Sequence, residues 1–178
     1  MFGCYEEFPK TVHVVVSFDF LEPVKSVQQV ILYVFHRLNS EVYNLGTVTP
    51  YLKQKCEVSF EFGVAEGDVF NFLDQNELDR SLRNVEKKEF QTLDFFFVVR
   101  YHTTGDSGRR VPLQFDYHVL RFTFQRNCLE MRIRHEKGTQ RVQLDDITDF
   151  IAKRINTEFS RRCLSSLILT HFEKVKLQ

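Results

Sequence analysis

Alternation of apolar and polar residues with a period of two dominates this chain, broken by stretches where apolar residues recur every three to four positions. Over Thr11–Phe20, the residues Val12, Val14, Val16, Phe18 and Phe20 share one face, and His13, Ser17 and Asp19 the other, which predicts a half-buried strand. Glu22-Pro23 closes it. Val24, Val27, Ile31, Val34, Phe35 and Leu38 then follow helical spacing, so an amphipathic helix is expected over 24–42. A loop at Asn44-Leu45-Gly46 leads to a second alternating strand, Lys55–Phe62, with Cys56, Val58, Phe60 and Phe62 inward. Gly63 to Gly67 reads as a turn and Asp68 as the cap of a short helix through Leu73. Asn76 reads as the cap of another helix through Lys88, with Leu78, Leu82 and Val85 inward.

Leu93–Tyr101 is the most apolar run. Phe96 and Val98 lie opposite Leu93, Phe95, Phe97, Val99 and Tyr101, so both faces should be covered, as in a central strand or an interface. After a loop over 102–110, Leu113, Phe115, Tyr117 and Val119 put apolar residues at odd positions, whereas Leu120, Phe122 and Phe124 put them at even ones. A continuous strand with that change of phase calls for a bulge or sharp bend near Val119-Leu120. Two-residue turns at Arg126-Asn127 and Lys137-Gly138 then predict a three-stranded meander. Phe124 pairs with Leu129, Phe122 with Met131 and Leu120 with Ile133; on the far side Ile133 pairs with Val142 and Met131 with Leu144. Asp145 suits an N-cap, with Asp146 in the first turn, and Ile147, Phe150, Ile151, Ile155 and Phe159 form the stripe of a helix covering the meander. Cys163–Val175 fits helix slightly better than strand.

These elements give an α+β fold: a largely antiparallel sheet in two sections, amphipathic helices packed on one face, and the order β-α-β-α-β-β-β-β-α-(α). Residues 1–178 are most economically one domain, with a candidate seam at the charged stretch 86–92 between an acidic and a basic half. Nineteen Phe and no Trp suit a sheet-rich core. No apolar run nears the roughly 18 residues that span a bilayer, and MFGCYEEFPK lacks the basic and apolar regions of a signal peptide. Cys4, Cys56, Cys128 and Cys163 are too dispersed for a metal site, and a chain of this length needs no disulfide framework. The expectation is an intracellular protein, cytoplasmic or nuclear, with no membrane contact, metal or cofactor.

Net charge is zero but unevenly divided: nine Lys/Arg against fifteen Asp/Glu in residues 1–99, and fifteen against nine in 100–178. The polar face of the predicted meander collects Arg121, Arg132, Arg134 and Arg141, with Arg121 opposite Arg132 and Arg134 opposite Arg141. Like charges opposed in this way are unfavourable unless solvent, an acidic surface or a phosphate screens them. Phe122 and Phe124 fall on the buried face, so they offer these arginines no stacking platform for single strands. A second cluster, Arg100, His102, Asp116 and His118, is expected on the even face of the 93–119 hairpin, where His and Asp are raw material for acid–base or metal chemistry. Gly105-Asp106-Ser107-Gly108 is turn chemistry, and the chain holds no GxxxxGK[ST], GxGxxG or HExxH. The reading is a non-enzymatic binding or scaffolding module that meets a protein partner, or a second copy of itself, through the arginine face. The alternatives are nucleic-acid backbone binding by that face, an apolar small ligand in a Phe-rich cavity, and an enzyme built on His118 and Asp116.

Overall fold

The computed structural model describes residues 1–51, 55–104 and 108–176; Gly105 to Ser107 of the expected turn lie outside them. Among the described residues the elements are β1 (Val14–Asp19), α1 (Val24–Leu38), β2 (Val42–Asn44), α2 (Leu45–Val48), β3 (Glu57–Glu66), β4 (Val69–Phe72), α3 (Gln75–Lys87), β5 (Thr92–Thr104), β6 (Arg110–Gln125), β7 (Cys128–Lys137), α4 (Leu144–Arg161) and β8 (Ile168–Lys174). The strands form one antiparallel sheet in the order β2-β3-β5-β6-β7-β1-β8, with β4 paired to β3. The fold is therefore α+β, with helices packed on one face. Strands from both halves of the chain are neighbours three times, β3 with β5, β7 with β1 and β1 with β8. At 86–92, the amide of Phe90 donates to Gln28 Oε1, and Gln28 Nε2 donates to the Phe90 carbonyl.

The core lies between the sheet and its helices. Leu93, Phe95, Phe97, Val99 and Tyr101 of β5 are fully buried there, as the alternation predicts. Phenylalanine fills this layer ring against ring. Phe35 of α1 stacks on Phe62 (centroids 4.0 Å apart) and meets Phe95 edge-on at 4.8 Å, and Phe62 stacks on Phe97 at 5.1 Å. Such pairs add about 0.5–1.5 kcal/mol each beyond the area they bury.

Several expectations are corrected. Helix α1 stops at Leu38, because the Asn39 side chain accepts the Phe62 amide at 2.6 Å and donates to the carbonyls of Phe62 and Leu73. The turn expected over Gly63 to Gly67 is confined to Gly67-Asp68; 63–66 continue β3, which pairs with β4 where a short helix was expected. Gly63 serves close approach there, since a Cβ would sit 3.2 Å from the Asn71 carbonyl oxygen. Helix α3 is capped by Asp74, whose Oδ1 accepts the Glu77 amide at 2.9 Å, rather than by Asn76. Residues 168–174 form a strand, β8, paired to β1.

The first meander register holds: Phe124 pairs with Leu129, Phe122 with Met131, Leu120 with Ile133, and Arg121 with Arg132. The second does not. The far neighbour of β7 is β1, with Val14 opposite Ile133 and Val16 opposite Met131. Alternation fixes which face of a strand is buried but not which strand lies beside it, and β1 supplies the same pattern as the segment around Val142. Val142 and Leu144 are still buried, and α4 begins at Leu144 after an N-cap at Gln143, with Asp145 and Asp146 in its first turn.

No bulge occurs at Val119-Leu120. Strand β6 stays in register with β5 from Thr123 opposite Thr92 to Gln114 opposite Tyr101. The core-facing set is even throughout, so Asp116 and His118 point into the core while Phe115, Tyr117 and Val119 point away. The irregularities fall elsewhere, between Tyr101 and His102 against β6 and between Tyr117 and His118 against β7.

Candidate functional site

The predicted Arg100, His102, Asp116 and His118 cluster is divided between the two faces. Arg100 pairs with Phe115 and lies on the outer face, where Nε and Nη2 donate to the Glu61 carboxylate at 3.0 and 3.2 Å. His102 Nε2 lies 3.0 Å from Ser59 Oγ. Asp116 and His118, 0% and 1% exposed, belong to the inner face.

Asp116 is saturated by neighbours. The Tyr101 hydroxyl donates to Oδ2 at 2.6 Å, and the Gln140 amide (2.8 Å) and His135 Nε2 (3.1 Å) donate to Oδ1. Burial pushes its carboxyl up, but these hydrogen bonds more than offset that and hold it below the ordinary aspartate value. Tyr101 in turn accepts the Val142 amide at 3.1 Å. His118 stacks on Phe97 at 4.4 Å and its ring lies 5.2 Å from that of His135. Burial, then the neighbouring His135, brings its pKa down to about 3. Gly138, at φ +123°, lets the chain cross β6 here, since a Cβ would overlap Asp116 Oδ1 and approach the Phe115 carbonyl oxygen at 2.6 Å. Buried except for the partly exposed His135 ring, this network clamps residues 138–142 across the end of the β5–β6 hairpin. A group that acts on a substrate must reach it, and Asp116 and His118 do not.

The helix-free face is crossed by the N-terminal segment, a strap. The Gly3 amide donates to the Ala65 carbonyl of β3 at 2.8 Å, and the Tyr5 amide to Asp94 Oδ2 of β5 at 2.7 Å. Phe8 lies under the Arg121 guanidinium of β6, 4.2 Å from its ring centroid. Arg134 Nη1 of β7 donates to the Thr11 carbonyl at 2.9 Å and hydroxyl at 2.7 Å, after which the chain enters β1. Asp94, fully buried, anchors the crossing: both its oxygens accept from Arg121, Nε and Nη2 at 2.7 Å each. Those bonds raise the Arg121 pKa above its ordinary value and fix its charge.

Every arginine of the predicted face thus has a partner within the chain. Arg121 holds Asp94, Arg132 Nε lies 2.6 Å from Glu130 Oε1, and Arg134 Nε lies 3.6 Å from Glu136 Oε1. Arg141 leaves the face altogether: its Nε donates to Gln114 Oε1 at 3.0 Å, and its guanidinium carbon is 5.8 Å from the Tyr101 ring centroid.

Beside the strap lies a feature that the sequence reading did not assemble. Tyr5, Phe70, Phe96, Tyr117 and Phe115 form a row of rings on the outer face, with successive centroids 4.8, 5.5, 5.5 and 5.0 Å apart. Phe70, Phe96 and Val119 floor an open groove of about 860 Å³, walled by Tyr5 and Pro9 of the strap. Its charges balance: Lys10 and Arg134 against Glu7 and Glu136. The signal was present in Phe96 and Val98, apolar on the second face of β5, and in the odd-numbered set Phe115, Tyr117 and Val119.

Among the described residues, no group of three His, Cys, Asp or Glu side chains could hold a metal ion, and no helix is long and apolar enough to cross a membrane. No protein-family model matches the chain, and comparison with curated protein sequences and with solved structures finds no significant match. Its own geometry carries the functional reading.

Proposed function

We propose that this protein is a non-enzymatic binding module whose helix-free sheet face captures an extended, apolar-anchored segment of a partner protein. The observation that supports this is the open aromatic groove beside the strap. The face already holds one segment of chain, residues 2–13, which crosses it with turns at Met1–Cys4 and Tyr5–Phe8 and is held through backbone hydrogen bonds to Asp94, Arg121 and Arg134 and through Phe8 on Arg121. The adjacent row, Phe70–Phe96–Val119, offers a parallel track with an apolar floor and charges of both signs at its rim. A peptide with alternate apolar side chains suits such a track. Arg121, Arg132 and Arg134 fit a phosphate backbone poorly, since each already faces a carboxylate.

The test is selection from a displayed peptide library on the wild-type protein and on Phe96→Glu and Val119→Glu variants. Peptides with aromatic or aliphatic residues at alternate positions should be enriched on the wild type and lost on both variants. The chain has no Trp, so a Trp-bearing selected peptide reports its own binding by fluorescence. Equal enrichment on wild type and variants would overturn the reading. So would salt-sensitive binding of an oligothymidylate probe without peptide binding.

A further inference from the structure

Among the described residues, the last strand of the sheet is an open edge. β8 is bonded to β1 on one side, and all seven of its residues are exposed. The strand at the other end of the sheet order, β2, is only three residues long. Ile168 and Leu169 are each 59% exposed and Phe172 is 41% exposed. Chains blunt long edges with proline, outward charge, a bulge or a covering element, and of these β8 carries a bulge at Thr170. β8 contains no proline, its one lysine, Lys174, is drawn back onto Asp145 of α4 at 3.2 Å, and Glu173 lies 3.5 Å from His171 of the same strand.

A shift in the β1–β8 register gives the edge its character. Phe18 faces Leu169 and Val16 faces Phe172, with Thr170 as the extra residue. Leu169 and Phe172 therefore both lean to the helix side, over a groove of about 180 Å³ that they share with Ala152 and Asn156 of α4.

We propose that β8 is the interface of a homodimer. Two copies pair their β8 strands antiparallel about a two-fold axis between Thr170 and His171, so that Leu169 of each copy faces Phe172 of the other. The strand is self-matching about that axis. It gathers four apolar side chains over the two α4 grooves, sets Glu173 against Ile168 and Lys174 against Leu167, and opposes no like charges. The unpaired amides and carbonyls of the edge find partners in the same step. This interface is separate from the aromatic groove, so each proposal can fail without the other.

Sedimentation over a concentration series from about 1 to about 200 µM tests it. The mass should climb from 21.2 kDa toward twice that value. Leu169→Asp and Phe172→Asp should each raise the dimer dissociation constant by about 100-fold or more, while Phe115→Asp on the outer face leaves it unchanged. In the wild type, hydrogen exchange at 168–174 should slow as concentration rises, a readout that needs no variant. A mass of 21.2 kDa throughout, or a dimer that survives both β8 substitutions, overturns the proposal.

Discussion

His118 makes acid stability a direct reading of the inner network. Its ring is buried against Phe97 and titrates at about 3, against 6.5 for an unperturbed histidine. Below about pH 6.5 the unfolded chain takes up a proton that the folded chain refuses, so the stabilisation is complete above that value. It is lost as pH falls toward 3, at about 1.4 kcal/mol per pH unit. Lowering the pH from about 7.5 to about 5.5 should therefore cost about 1.4 kcal/mol through this residue alone. Other groups contribute, among them His13, whose pKa is lowered in the same direction, chiefly by burial. The comparison is thus with His118→Leu, which keeps an apolar contact with Phe97 and has no proton to gain. Urea unfolding of both proteins across this range should show the wild type losing about 1.4 kcal/mol more than the variant. Asp116 is held below the ordinary aspartate value and stays charged in that window. Parallel slopes for the two proteins would refute the neutral, sealed imidazole.

Gly138→Ala should cost about 3 kcal/mol in chemical denaturation, because a Cβ strikes Asp116 and the backbone φ is +123°; an unchanged midpoint would mean that 138–142 is not packed on β6. Asp94→Ala leaves Arg121 and the Tyr5 amide without their acceptor and should cost about 3 kcal/mol. It should also speed tryptic cleavage after Lys10 as the strap loosens. Glu130→Ala, which breaks the half-exposed pair with Arg132, should stay within about 0.5 kcal/mol.

The sequence was most legible where one face of an element is apolar and the other is not. β1, the inward half of β5, and the pairing of Phe122 with Met131 all follow from alternation. It failed where alternation has two valid answers, as with the strand beside β7, and where glycine punctuation concealed a close approach, as at Gly63. It also failed at Asp116 and His118, which stand at core positions because hydrogen bonds satisfy one and neutrality suits the other. The opposition of Arg121 to Arg132 was readable, but Arg134 lies beside Val119 rather than Arg141, and the strap that employs Arg121 and Arg134 was not readable, since residues 1–10 have no periodicity and bind largely through their backbone. One clue was available. Asp94 is the only acid in LDFFFVVRY, and an acid in a strand covered on both faces needs a dedicated cation.

That pairing also weighs one ligand class against another on the outer face. A phosphate that claimed Arg121 would have to displace Asp94, which is fully buried and would be left charged without its partner, at a cost of about 3–5 kcal/mol. A surface phosphate contact returns less than that, and its return shrinks with salt. An apolar side chain laid on Phe96 breaks no ion pair and gains about 25 cal/mol for each Å² removed from water. Three leucine-sized anchors, each contributing about 2 kcal/mol, give about 6 kcal/mol, so binding is at best roughly millimolar once the cost of ordering the peptide is subtracted. Binding of that strength suits a module whose partner is held at several points. A face presented twice by a β8-linked dimer would raise such affinity through effective concentration without any new contact.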